Sequence, residues 1–264
     1  MIHGEKSVSK KTDVTEGRIR TISGSERKEM QVLSGVYWDC GQRLHNEDSV
    51  ALQQVLTCRG RALLAVVCDG IGGLAQGETA SGYVVERLVE CFYRQLVVLI
   101  GKGKSRKIIS NRLSTCFYEI GHELNVYGRT KEVRLGSTVS VLLLWRNQYI
   151  IAHIGDSRIY WCKKNGMQQL TNDHSDGRHG LSKCIGSFPF QKMQMLGGRI
   201  FKSRGVLLCT DGFYRRMTQN TLWNPSDIYE EHQIEKRLQA NADYVKAKGE
   251  KDNLTAIYLK LSRR

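Results

Sequence analysis

The sequence is notable first for what it lacks. Its 264 residues contain no apolar run approaching the ~18 residues of a membrane span. The longest, such as residues 62–68 and 141–145, have strand length, so no membrane role is expected. Residues 1–30 are polar and charged and lack the apolar centre of a signal peptide, so a cytoplasmic protein is expected. None of the eight cysteines forms a Cys-x-x-Cys pair, and no Cys/His set has metal-ligand spacing. Cys68, Cys91, Cys116 and Cys209 lie inside apolar patterns and read as small buried hydrophobes in a reducing compartment, not as disulfides or a zinc site. There is no Cys-x5-Arg loop, no internal repeat and no linker within residues 31–261. No stretch interleaves basic residues with aromatics as an RNA-binding module would.

A hydrophobic fraction of 41% can supply a real core, and the length suits one large domain or two small ones. The net charge of +14 has two readings: nucleic-acid or membrane-surface binding, or attraction for an acidic substrate such as a phosphoprotein. Residues 1–30 predict an extended basic and polar arm, and residues 31–264 a single domain. Strands are expected at 32–37, 49–57 and 62–68. Helices are expected at 78–100, with Ala80, Val84, Leu88, Cys91 and Leu99 on one face, and at 106–127. Strands follow at 138–145, 148–154, 158–163, 167–170, 193–201 and 206–209, with Asn165-Gly166 marking a hairpin turn. A helix over 228–248 and a strand over 254–261 close the chain. Strand and helix do not alternate regularly, so a doubly wound parallel sheet is disfavoured. An α+β fold of hairpin-rich antiparallel sheets covered by helices fits better.

Three apolar runs end at an aspartate: Val67-Cys68-Asp69-Gly70, Ile154-Gly155-Asp156 and Cys209-Thr210-Asp211-Gly212. Asp48 begins a strand and Asp252 precedes the last one. Taken singly, each is an ordinary turn or cap residue. Taken together, they are carboxylates at strand ends, which can converge in space. Clustered carboxylates repel unless a cation neutralises them. Oxygen-only donors select hard ions, Mg²⁺ or Mn²⁺, and this number of aspartates suits two or three of them. Two ions about 4 Å apart can activate a water for attack on phosphorus.

Seven motifs stand in one order: Arg43-Leu44-His45-Asn46-Glu47-Asp48, Asp69-Gly70-Ile71-Gly72-Gly73, Gly136-Ser137-Thr138, Gly155-Asp156-Ser157-Arg158, Leu170-Thr171-Asn172-Asp173-His174-Ser175, Thr210-Asp211-Gly212 and Asp252-Asn253-Leu254-Thr255. In this the sequence resembles the metal-dependent protein phosphatases of the 2C family, and most of all its compact bacterial serine/threonine members. The resemblance runs from about Gln31 to Leu261. It implies a four-layer α-β-β-α sandwich of two antiparallel sheets flanked by helices. It also implies two core Mg²⁺ or Mn²⁺ ions on Asp48, Asp69, Asp211 and Asp252, with the Gly70 carbonyl on one. Glu47 would serve the metal site as a ligand or just beyond the ligands through waters, and Asp156 with Asp211 would hold a third, weaker ion. Arg43 would grip the substrate phosphate, since a guanidinium fork matches its oxygens, and Asn253 would orient a ligand or water. The implied reaction is direct attack of a metal-activated water on phosphoserine or phosphothreonine, by a monomer opposing a Ser/Thr kinase.

The sequence departs from the family pattern twice. Ile71 stands where some members carry a histidine proposed as general acid, so the leaving-group proton must come from water or elsewhere. His45 and His174 are near in the motifs but read as structural hydrogen-bonding residues. Between Ser175 and Leu181 only Asp176-Gly177-Arg178-His179-Gly180 intervene, which is shorter than the flap of bacterial relatives and implies a more open site. The competing expectation is a non-catalytic module on this fold that holds an acidic partner or nucleic acid. No specific nucleic-acid readout is expected.

Overall fold

The computed structural model describes residues 30–71, 76–175, 180–186, 188–217 and 223–263. The expected N-terminal arm lies outside the described residues except for Met30, which opens the first strand. The expected short flap also lies outside them, apart from Gly180, as do Gly72 and Gly73.

β1 (Met30–Asp39), β2 (Asp48–Thr57) and β3 (Gly60–Asp69) come first. Then α1 (Gly77–Cys91), a π-helical turn (Phe92–Leu96) and α2 (Val97–Gly101) run on with helical dihedrals at both joins. The single helix expected over 78–100 is therefore interrupted by a wide turn, and the reason lies in the spacing of its apolar residues. Leu88, Phe92, Leu96 and Ile100, all buried, recur every four residues. A regular α-helix would rotate such a series off one face, and a wider turn holds it in register with the core. The buried end of the face is thus Leu96 and Ile100, with Leu99 only partly covered.

α3 (Arg106–Lys131) is capped by Ser105, whose Oγ accepts from the Ile108 N–H at 3.4 Å, and Arg129 and Lys131 complement the carbonyls of its last turn. Next come β4 (Gly136–Ser137), β5 (Val139–Trp145), β6 (Gln148–Ile154), β7 (Arg158–Lys163), β8 (Gly166–Gln169), β9 (Ile185–Gly186), β10 (Gln194–Arg199) and β11 (Arg204–Cys209). The short α4 (Asp211–Tyr214), a 3-10 turn (Pro225–Asp227), α5 (Glu231–Ala247) and β12 (Leu254–Arg263) complete the chain. The last helix starts later than expected because a Glu230–Gln233 capping box sets its first turn. The Asn-Gly hairpin forms as expected, pairing Lys163 with Gly166.

Two five-stranded antiparallel sheets stack face to face. One has the order β1-β12-β11-β7-β8 and the other β10-β6-β5-β3-β2, and β4 and β9 form a separate two-stranded ladder. The apolar run of β3 serves two layers because successive side chains point to opposite faces. Leu63, Ala65 and Val67 meet Ile159, Val206 and Ile257 between the sheets. Leu64, Val66 and Cys68 pack under α1 and α3 against Val84, Leu113 and Phe117. On the other side, Ile234, Leu238 and Val245 of α5 cover Leu207, Ala256 and Tyr258. The result is the expected four layers, helix–sheet–sheet–helix. Each fully buried Leu, Ile or Val contributes roughly 1.5–3 kcal/mol, so the central strands are the stiffest part of the molecule. Their ends therefore hold side chains still. Among the described residues no helix is long and apolar enough to cross a membrane.

Candidate metal centre

The register of β2 against β3 places Asp48 directly opposite Asp69 at the end of the ladder. Opposed residues in antiparallel strands have Cβ atoms about 5 Å apart, and like charges there are destabilising. Asp48 is only 3% exposed. One of its oxygens, Oδ2, accepts from Thr210 Oγ1 at 2.9 Å, and its own carbonyl accepts from the Trp38 indole N–H at 2.9 Å. Burial above all, with the charges of Asp211 and Asp252 adding to it, pushes the Asp48 carboxyl up to about 7. Asp69 is pushed well above the usual carboxylate range by burial and then by Asp48, Asp211, Asp156 and Asp252.

The backbone around Asp69 is locked from both sides. Its N–H donates to Thr138 Oγ1 at 3.0 Å, and its carbonyl accepts from the Thr138 N–H at 2.8 Å and from Ser137 Oγ at 3.0 Å. The Gly70 N–H donates to the Glu47 carbonyl at 3.0 Å. A Cβ at position 70 would stand 2.4 Å from the Gly77 carbonyl oxygen and 2.7 Å from that of Glu47, so only glycine lets the chain turn here. Gly155 does similar work before Asp156: its φ is +113°, and a Cβ would collide with Thr138 at 2.5 Å.

Asp211 enters from the end of β11 in the other sheet, and Asp156 from the β6–β7 connection that crosses between the sheets. Asp211 is the first residue of α4, so the third apolar run ends at a helix start as well as a strand end. Burial raises the Asp211 carboxyl and the Arg215 guanidinium opposes this, while Asp252 and Glu250 push it further up. Burial, then Asp211, pushes Asp156 up to about 6, and the Asp156 carbonyl accepts from the Tyr214 hydroxyl at 3.0 Å.

Asp252 lies between two guanidiniums. Arg43 Nη2 stands 3.1 Å from its Oδ1, and Arg215 Nη1 stands 3.9 Å from its Oδ2. Arg215 also pairs with Asp211 and reaches Glu250 Oε1 at 3.9 Å. Asn253 ties the 40–47 loop to the site. Its Oδ1 accepts from the Glu47 N–H at 2.9 Å, and its Nδ2 donates to the carbonyls of Cys40 at 2.9 Å and His45 at 3.0 Å. The Glu47 carboxylate lies against the start of α1, where a Cβ on Gly77 would come within 2.9 Å of Oε1. Burial and Glu78 raise its pKa.

The aspartates expected at strand ends therefore share one electrostatic neighbourhood, with Glu47 and Asn253 at its edge. In the orientations the side chains take here, no three His, Cys, Asp or Glu among the described residues form a ready metal cage. The reason is visible in the pairings: Asp211 is turned to Arg215, Asp252 is held by Arg43, and Asp48 accepts from Thr210. The donor set still fits a hard cation. It is all oxygen, and among the described residues no cation forms an ion pair with Asp48 or Asp69.

His174 and His153 are structural, as expected for His174. His174 Nδ1 accepts from the Gly155 N–H at 3.0 Å, and its ring stacks on His153 at 5.2 Å. Sequence reasoning missed Arg215, and it named Thr210 and Thr138 only as motif members without a role. The readable signal for Arg215 is a basic residue one helical turn after Asp211.

A protein phosphatase 2C family model matches residues 40–255 of this chain. The chain is 30% identical over 135 residues to a serine/threonine phosphatase, Stp, of Listeria innocua, covering 50% of each sequence, so it spans about half the length of the curated relatives it matches. The fold is similar to that of the serine/threonine phosphatase Stp1 of Staphylococcus aureus, with a TM-score of 0.74 at 22% identity over 90% of this chain and 99% of that one. It is also similar to the catalytic domain of the phosphatase PstP in complex with two manganese ions, with a TM-score of 0.70 at 22% identity over 88% and 99%. Because the matched residues run through all five aspartates, from the edge of β2 to the start of β12, the chain belongs to the protein phosphatase 2C family.

Proposed function

We propose that the chain is a metal-dependent protein-serine/threonine phosphatase acting in the cytoplasm on phosphoserine and phosphothreonine proteins. The observation that carries this reading is the directly opposed Asp48–Asp69 pair, Asp48 buried and Asp69 half-buried, with Asp211 and Asp252 close enough to raise its pKa further. Such a pair is costly unless cations offset it. Asp48, Asp69, Asp211, Asp252 and the Gly70 carbonyl would hold two Mg²⁺ or Mn²⁺ ions, and Asp156 with Asp211 a third. When bound, the ions supply a water of lowered pKa and offset the charge on the phosphoryl oxygens.

The residues of the chain do the rest. Arg43 is half exposed at the mouth of the site and offers its guanidinium fork to the substrate phosphate. Asn253 holds the 40–47 loop, and hence Arg43 and Glu47, at a fixed distance from Asp252. Glu47 accepts hydrogen bonds from waters at the edge of the site. Ile71 has no proton to give, so the leaving serine or threonine oxygen takes its proton from water. Residues 31–264 act as one catalytic domain and as a monomer, with residues 1–30 as an appended arm.

The test is hydrolysis of a phosphothreonine peptide. Turnover is expected with Mn²⁺ and is expected to stop with EDTA. Turnover that persists in EDTA would overturn the reading.

A further inference from the structure

The strands that end at Asp48 and Asp69 begin, at their other end, at a different kind of surface. The β2–β3 turn and the β5–β6 turn lie side by side there, since β3 pairs with β5 from Ala62 opposite Trp145. With the first residues of β1 and with Phe201, they enclose a groove of about 820 Å³. That volume lies in the range of true ligand sites. Its apolar surface includes Leu56 and Phe201, which are 76% and 63% exposed.

Its charge is of one sign. Arg59, Arg61 and Arg146 line it, and no Asp or Glu is among its described lining residues. Two of the arginines, Arg59 and Arg61, are held by their neighbours. Arg59 Nε donates to the Gly101 carbonyl at the end of α2 at 3.1 Å, and Arg61 Nη1 donates to Gln54 Oε1 at 2.8 Å. Among the described residues no hydrogen-bond partner reaches the buried Arg61 Nε. Arg146 holds a left-handed backbone, φ +53°, which costs a non-glycine residue free energy. The held guanidiniums of Arg59 and Arg61, with Arg146 beside them, complement carboxylates that flank a bulky apolar side chain.

We propose that this groove docks an acidic peptide segment of a partner protein, anchored by a leucine or phenylalanine. The chain's own residues 1–29, which lead into the groove wall at Met30, fit poorly as occupant because they carry seven Lys and Arg against five Asp and Glu. The groove lies roughly 30 Å from Asp69, the span of ten residues of β3 at ~3.3 Å each. Occupancy is therefore independent of the metal centre and of the phosphatase reading.

The test is fluorescence anisotropy on the full chain at physiological salt. The probes are a fluorescein-labelled dodecapeptide repeating Glu-Leu-Glu-Phe, the same peptide with Ser for Leu and Phe, and a labelled single-stranded oligonucleotide. The Glu-Leu-Glu-Phe peptide is expected to bind with a micromolar Kd and the Ser version at least tenfold more weakly. Arg59→Glu with Arg146→Glu, at two exposed turn positions, is expected to weaken binding at least tenfold, as is Phe201→Ser alone. Asp48→Asn should leave it unchanged. Thermal melts of each variant separate lost binding from lost folding. Equal binding of the two peptides, indifference to both groove variants, tighter binding of the oligonucleotide, or displacement by a synthetic peptide of residues 1–29 would each overturn the proposal.

Discussion

Asp48 and Asp69 differ from Asp211 and Asp252 in one respect that governs how the site behaves. All four carry the same group and lie in one neighbourhood. The first two sit at the buried end of a strand ladder, and the influences that raise Asp69 are burial and four other carboxylates. The second two sit nearer the rim, with Arg215 on one and Arg43 and Arg215 on the other. The inner pair can lose its repulsion only to a proton or an added cation, whereas the outer pair already has cations that an ion must displace. Inner ligands are thus the source of the drive to bind metal, and outer ligands adjust its strength.

Breaking the inner pair has the largest expected effect. Asp69→Asn removes one ligand and the repulsion together, so its two consequences oppose each other. Turnover of a phosphothreonine peptide is expected to fall by about a thousand-fold or more, since several kcal/mol of transition-state stabilisation goes with the ion. The metal-free protein is expected to melt at a higher temperature than the parent at pH 7.5. A variant that loses both activity and stability would show that Asp69 is held by something other than charge.

The pH dependence of the metal-free protein is the next largest effect. Asp48, at about 7 in the folded protein, is raised above its unfolded value of 3.8, and Asp69 is raised well above the usual carboxylate range. A carboxyl with a raised folded pKa binds more protons folded than unfolded, so stability falls as pH rises through that value. Between about pH 4 and 7, from the unfolded to the folded value of Asp48, the melting temperature in EDTA is expected to drop by several degrees, at roughly 2–4 °C per kcal/mol for a domain of this size. One group works against this slope in the same window. Burial and then His174 push His153 down to about 4, so its neutral form is the folded one and stability is lost as pH falls from 6.5 toward 4. Mn²⁺ is expected to flatten this fall by holding the inner pair ionised, and Asp69→Asn is expected to flatten it without metal. A flat profile between about pH 4 and 7 in the EDTA-treated parent would remove the distinction between the pairs.

The contrast between the pairs also separates what a sequence can disclose from what it cannot. Strand ends and apolar faces follow from local pattern, so the sheets, α3 and the five aspartates were legible before any geometry. The direct opposition of Asp48 and Asp69 was not, because it depends on the register of two strands and a one-residue slip would undo it. The π-turn after Cys91 escaped because it answers to the packing of Phe92 and Leu96, not to propensity. Gly136–Ser137 and Ile185–Gly186 were too short to carry a period, yet their ladder supports Ser137, which holds the Asp69 carbonyl. Arg215 was missed because an arginine one turn into a helix is ordinary until its partners are known.

Arg215 gives the smallest expected effect and the sharpest test of the outer pair. Its side chain is 51% exposed, and it faces Asp211, Asp252 and Glu250 at once. Partly exposed ion pairs contribute about 0–1 kcal/mol each after screening. An ion claiming Asp211 and Asp252 must displace this guanidinium and forgo that amount. Arg215→Gln is therefore expected to tighten Mn²⁺ binding two- to fivefold by titration calorimetry, with a larger gain at low salt than at high salt because the lost pairs are themselves screened. Glu250, only 5% exposed, keeps Arg216 at 3.5 Å in the variant and is not stranded. If Mn²⁺ affinity is instead unchanged while KM for the phosphopeptide rises, Arg215 acts on the substrate phosphate beside Arg43. The outer pair would then differ from the inner one only in exposure, not in how its charge is offset.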